Sequence, residues 1–337
     1  MADTLQPRER FLTAVVVGAL DRPALGTVTS LATTEGMDLC GAAFPLAHHD
    51  PEAMATLAAS TSLEIGFDMI FPVYSVVHEA AAVGAEVNWG SKSVMPTIAH
   101  PLWTEPGEIA IPDDFEERPP MAVVLEALRQ LKAEYGATHA IVGKVFGPWS
   151  LGFHLFGVEQ ILLRTIDDPE GLDAIFTALR EVTLRSAIAQ VKAGADVLCL
   201  GDHCSRDMCS PATYRRFLQP QHAALAREAP CPLVLHTCGD TSDRIPAFAE
   251  TGLPCFHFDT RVPAAEAARL AGGRMTLMGG VSNLAGLLGG DPAVIRAEVA
   301  SAVAAGVRVI GPECAVPLNA PLASLQAIAP ALEAAFG

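Results

Sequence analysis

Eight short apolar runs recur along this chain, most of them followed by a stretch with helical spacing. That alternation limits the fold more than any other feature. The runs are 24–30 (ALGTVTS), 67–74 (FDMIFPVY), 138–146 (THAIVGKVF), 195–202 (ADVLCLGD), 232–238 (PLVLHTC), 254–260 (PCFHFDT), 275–282 (MTLMGGVS) and 307–312 (VRVIGP). Several are continuously apolar rather than alternating, the pattern of parallel strands covered on both faces. Helical patterns occupy 119–135, 169–193, 211–228, 241–251, 263–271 and 291–305. Asp168-Pro169, Ser210-Pro211 and Asp291-Pro292 each set a capping side chain before a proline at the first helical position. The expectation is an α/β chain folded as a (β/α)8 TIM barrel, with a doubly wound open sheet as the alternative.

A typical barrel needs about 250 residues, and this chain has 337. The surplus falls at roughly 1–23 and 31–66, read as an N-terminal helical cap, and at 75–118. The last contains EVNWGSKSVMPTIAHPLW and reads as an extended excursion after the second strand. No Gly/Ser linker and no break in composition divides the chain, so one domain spanning 1–337 is expected.

Charge narrows the function classes. Lys plus Arg number 22 against 38 Asp plus Glu, a formal net charge of −16, and only four of the 22 are lysines. Such a surface repels phosphate backbones and anionic lipid, so neither nucleic acid nor membrane is an expected partner. The start MADTLQPRER is polar, and the apolar run Phe11–Leu20 is too short to span a bilayer. A cytoplasmic protein is expected. Its eight cysteines should then be buried thiols or metal ligands rather than disulfides.

Barrel chemistry sits at the C-terminal ends of the strands, and there Asp202, His236, Cys238, Asp259 and Cys314 close or follow runs that are otherwise apolar. His236 and Cys238 are two apart on a strand, so both project from one face. With one more thiolate they could bind Zn²⁺ and leave a fourth position open, as catalytic zinc requires. A core cysteine beside a hydrogen-bonded histidine is the plainer alternative. A second cluster, Cys199, His203, Cys204 and Cys209, matches no common zinc spacing. Asp202 and Asp259 could be an acid/base pair, helix caps, or carboxylates that hold a ligand histidine. No phosphate-binding glycine loop and no G-x-S-x-G elbow is present.

The ordered segments DRPALG, HHDPEAM, GFDMIFP, EAAAVGAEVNWG, GPWSL, AGADVLCLGDHCSRDMCSP, LHTCGDTSDRI, LMGGVSN and GVRVIGPECAVPLNAPLASL resemble the uroporphyrinogen decarboxylase superfamily. Within it the chain is most similar to the methylcobamide:coenzyme M methyltransferase branch, nearly end to end. The resemblance implies a (β/α)8 barrel and one zinc held by an H-x-C…C motif, here His236, Cys238 and Cys314. It implies transfer of a methyl group from a methylated corrinoid to a zinc-activated thiol such as coenzyme M, or to tetrahydrofolate. The D-x-H-x-x-G segment of a cobalamin-binding domain is missing, so methylcobalamin would arrive on a separate corrinoid protein.

Asp202 and Asp259 would then position substrate or hold a ligand, with Asp202 expected to accept from the His236 imidazole. Glu313 stands where the family often has glycine, and it could tune the metal, ligate it or face solvent. Glu79, in HEAAAVGAE, is a further carboxylate candidate near the mouth. A uroporphyrinogen decarboxylase would need an arginine-rich pocket after the first strand, where this chain reads SLATTEGMDLC. A non-catalytic zinc or corrinoid-handling protein would close its metal with four protein ligands, and only three are identified.

Overall fold

Each of the eight apolar runs contains a strand in the computed structural model, which describes residues 4–336. Residues 1–3 of the expected 1–23 cap, and Gly337, lie outside the described residues. The strands are β1 (Ala24–Leu25), β2 (Met69–Ile70), β3 (Ala140–Phe146), β4 (Val197–Gly201), β5 (Leu233–Thr237), β6 (Cys255–Phe258), β7 (Thr276–Val281) and β8 (Val309–Pro312). They form one sheet in the order β1-β8-β7-β6-β5-β4-β3-β2, parallel at every pairing.

The seam between β1 and β2 is joined through Asp68. Its N–H donates to Leu25 O at 2.8 Å, and its carboxylate accepts the Leu25 N–H at 2.7 Å. Arg10 and Arg22 pair with the same carboxylate. Two buried hydrogen bonds and two cations at this one residue do what a strand ladder does elsewhere, and the result is a nearly closed (β/α)8 barrel, not an open sheet. Where β8 passes β1, a Cβ on Gly311 would fall 2.0 Å from Gly26 O. Only glycine permits that approach.

The helices begin where the capping residues foretell. Asp168, Ser210 and Asp291 accept from the N–H groups of Gly171, Thr213 and Ala293. The N-terminal surplus is helical: α1 (Pro7–Val15), α2 (Thr34–Cys40) and α3 (Pro51–Glu64). The 75–118 excursion is only partly extended. It opens with α4 (His78–Val83), and an antiparallel hairpin then pairs Val87–Asn88 with Thr97–Ile98.

α5 (Pro119–Tyr135) follows. Between β3 and α8 (Pro169–Ala193), the stretch 148–167 forms α6 (Pro148–Phe156) and α7 (Val158–Asp167). Gly157, at φ 88°, breaks the chain between them; the sequence periodicity does not assign this pair. The 211–228 pattern runs through a π-helical turn at Tyr214–Leu218 into α9 (Gln219–Glu228). The 241–251 pattern shrinks to α10 (Ile245–Phe248). No helix among the described residues is long and apolar enough to cross a membrane.

Every residue of β1–β8 is buried. Polar side chains at the strand ends therefore stand on a rigid, dry scaffold. Register places Gly201, His236 and His257 side by side across β4, β5 and β6.

Candidate functional site

Strand β5 delivers His236, and Cys238 follows one residue past its end, so both side chains point into the barrel mouth. Cys314 arrives from the loop after β8. His236 Nε2 lies 3.2 Å from Cys238 Sγ and 3.4 Å from Cys314 Sγ, and the two sulfurs are 2.9 Å apart. Both cysteines are free. Among the described residues no other three His, Cys, Asp or Glu side chains bring donor atoms together in this way.

Tetrahedral zinc bonded at about 2.3 Å to sulfur and about 2.0–2.1 Å to nitrogen would place such donors roughly 3.6–3.8 Å apart. A small outward movement of the sulfurs accommodates the ion. The two sulfurs share a hydrogen bond, a contact that holds Cys314 well below the ordinary thiol range and pushes Cys238 above it.

Neighbouring groups fix the three donors. His236 Nδ1 faces the His257 carbonyl at 3.4 Å, which leaves Nε2 toward the sulfurs. The two rings lie 4.6 Å apart, and His257 Nε2 in turn donates to Pro312 O at 2.7 Å. A second ring nitrogen held by a carbonyl is the usual support of a metal-binding histidine. His257, read in the sequence only as part of a strand, is therefore part of the site's frame.

Asp259 does not face the donors as an acid or base. Its carboxylate accepts the Gly239 N–H at 2.7 Å and the Arg261 N–H at 2.9 Å, bracing the residue next to Cys238. Glu313 does the same beside Cys314. One oxygen accepts the Asn283 N–H at 2.7 Å, and the other accepts both the N–H and the hydroxyl of Thr260. Its carboxylate joins the loops after β6, β7 and β8, so Glu313 is neither a donor to the cluster nor a solvated charge.

Asp202 departs from expectation. It does not bond His236; its Oδ2 takes the Nε2 of His222 at 2.9 Å, and its Oδ1 accepts the Ser150 N–H at 2.8 Å. His222 Nδ1 meets the Tyr214 hydroxyl at 3.1 Å, and all three side chains are buried. The carboxylate turns toward α9 and the start of α6 because Gly147 leaves it room: a Cβ there would sit 2.3 Å from Oδ2. Asp202 still lines the mouth cavity, but as an already satisfied group.

Glu79 does not line the mouth cavity, although it stands at the mouth end of β3. It is buried against the end of β3, where Oε2 accepts the Phe146 N–H at 2.9 Å. Burial pushes its carboxyl up to about 8.

The second cysteine cluster does not converge. Cys199 lies in β4 and Cys204 contacts the Thr237 hydroxyl. Cys209 accepts from the buried guanidinium of Arg244 at 2.9 Å, yet burial still pushes its thiol up to about 11.

A cavity of about 130 Å³ opens above the donors, lined by His236, Cys238 and Cys314 with Asp202, Phe146 and Lys144. It is smaller than the pockets that take drug-sized ligands. A larger hollow of about 810 Å³ lies between α3 and α5 on the outer wall, away from the strand ends, and none of the candidate side chains lines it. The sequence signal for Lys144 is a charge inside the apolar run THAIVGKVF, in a chain with four lysines.

Three proteins are similar to this chain, two in sequence and one as a solved structure. A methylated-thiol–coenzyme M methyltransferase of Methanosarcina mazei is 31% identical over 328 residues, covering 97% of this chain and 89% of that protein. The methylcobamide:CoM methyltransferase MtaA of Methanosarcina barkeri is 30% identical over 324 residues, covering 95% and 96%. A solved methyltransferase from Methanosarcina mazei superposes with a TM-score of 0.96 at 29% identity, over 99% of this chain and 100% of that one. Residues 6–334 match the profile described as uroporphyrinogen decarboxylase (URO-D), and with the barrel and its strand-end residues already in place, the chain belongs to the uroporphyrinogen decarboxylase family.

Proposed function

We propose that this protein is a zinc-dependent methyltransferase that moves a methyl group from a methylated corrinoid, carried on a separate protein, to a thiol such as coenzyme M. The observation that carries the reading is the convergence of His236, Cys238 and Cys314 beneath a small cavity at the barrel mouth. Relatives named as coenzyme M methyltransferases align over nearly the whole chain and support it.

His236, Cys238 and Cys314 would hold the zinc, which when bound would lower the pKa of an acceptor thiol so that it ionises at neutral pH. The chain's own work is geometric. His257 aims the His236 ring, while Asp259 and Glu313 pin the backbone on either side of the two cysteines. The thiol loses its proton to solvent, the sulfur lone pair forms the new S–C bond, and cobalt keeps the electron pair of the broken Co–C bond as Co(I). No acid is required for that leaving group. Holding sulfur, methyl carbon and cobalt in line is what the rigid mouth supplies. The cavity is too small for the corrinoid, so the donor protein must dock over the opening. No arginine lines this cavity, which disfavours a substrate carrying many carboxylates.

The test is demethylation of methylcobalamin by zinc-replete protein, followed by absorbance, with coenzyme M, neutral thiols and tetrahydrofolate as acceptors. Thiol-dependent loss of the methyl–cobalt bond with a methylated thiol as product is expected. Transfer to tetrahydrofolate alone, or no acceptor-dependent loss, would overturn the reading.

A further inference from the structure

Lys144 sits in the middle of β3 and is 4% exposed. Gln190 fixes its backbone on both sides, accepting the Lys144 N–H at 2.9 Å and donating to its carbonyl at 2.7 Å. Its ammonium stands 4.7 Å over the Phe146 ring, in the wall of the cavity that holds His236, Cys238 and Cys314. Among the described residues no carboxylate comes within ion-pair distance of it; the other lysines with such partners, Lys92 and Lys132, lie outside the barrel mouth.

Two carboxylates near it supply no counter-charge. Both oxygens of Asp202 are engaged, one by the Ser150 N–H and one by His222. Burial pushes the Glu79 carboxyl up to about 8, which favours its neutral form. Zn²⁺ with two thiolates is neutral overall and supplies no surplus negative charge. An ammonium carried into a protein wall without an anion is costly, and this one borders the space where an acceptor would lie. The surface as a whole, at net −16, repels anions, so selection for an acidic ligand has to come from a local cation.

We propose that Lys144 binds the anionic terminus of a short thiol acceptor, a sulfonate or carboxylate, and makes the site select acidic thiols over neutral ones. The thiol part of this inference rests on the proposed function; the anion part does not. Lys144 is a specificity residue here and takes no part in bond making.

Two measurements on zinc-loaded protein test it, comparing wild type with Lys144→Met, and with Lys144→Gln should the methionine variant fold poorly. The first is calorimetric binding of 2-hydroxyethanesulfonate, which has the anion but no thiol. Loss of one charge-assisted contact should weaken it at least about tenfold, with zinc content unchanged. The second is the ratio of kcat/KM for 2-mercaptoethanesulfonate to that for 2-mercaptoethanol, which should fall by a similar factor. Equal sulfonate binding in wild type and variant overturns the proposal. So does an equal loss with both thiols, which would mean that Lys144 serves the reacting sulfur instead. If no thiol is methylated at all, the functional reading fails, while the sulfonate titration still decides the role of Lys144.

Discussion

Glutamine in place of Glu79 isolates the most strongly perturbed carboxyl in the barrel wall. The side chain is 1% exposed; Oε2 accepts one backbone N–H and Oε1 is buried with no partner. Burial is the main cause that raises its pKa from 4.5 to about 8; the Ser186 hydroxyl, the Phe146 N–H and, least, the charge of Lys144 only partly oppose it. In the unfolded chain the group ionises near 4.5, while the native protein holds the proton until about 8. Between those values the native state binds more protons, so stability falls as pH rises, and the loss levels off above the native value. The slope approaches about 1.4 kcal/mol per pH unit, and the total between pH 5 and 8 is about 3 kcal/mol. Glutamine has the same shape and no proton to lose. Urea denaturation of wild type and Glu79→Gln at several pH values gives the difference directly, because other titrating groups are common to both. The variant should gain on wild type by about 3 kcal/mol from pH 5 to 8. Parallel stability curves would refute the reasoning and mean that Glu79 is ionised in the native protein.

Cys238→Ala removes one of the three converging donors; zinc content should fall from about one ion per chain to a small fraction of that, and unchanged content would reassign the site. Chelation should abolish methyl transfer yet leave circular dichroism near native, since the barrel has its own large core and does not fold around its metal as a zinc finger does. Asp202→Asn replaces a carboxylate that accepts from both Ser150 and His222 with an amide that can accept only through one oxygen. A loss of about 1–3 kcal/mol in denaturation, with zinc retained, is expected; loss of zinc instead would tie Asp202 to the metal after all.

The barrel was legible because parallel strands leave continuous apolar runs, and because three Asp-Pro or Ser-Pro pairs mark helix starts with real caps. Strand lengths were less legible. Run 24–30 contributes only Ala24 and Leu25 to the ladder, although all seven residues are buried. Burial, not pairing, shaped that composition. His236 and Cys238 stood out through their spacing, but the place of Cys314 beside them depends on ring closure. Asp202 was visible at a strand end, yet its partner lies twenty residues on, and the space to reach it depends on Gly147 in another loop. Lys144 and His257 were hidden inside runs that composition marks as strand, where the side a polar residue faces becomes known only once register is set.

Under the proposed function this site turns a thiol into a thiolate at neutral pH. Proton release on acceptor binding measures that step without the corrinoid. Titrating 2-mercaptoethanesulfonate into zinc-loaded protein near pH 7, in buffers of different ionisation enthalpy, should show about one proton released per thiol bound. Neither the thiol-free sulfonate nor Cys238→Ala should show it. Tight binding of the thiol with no proton released would contradict the account.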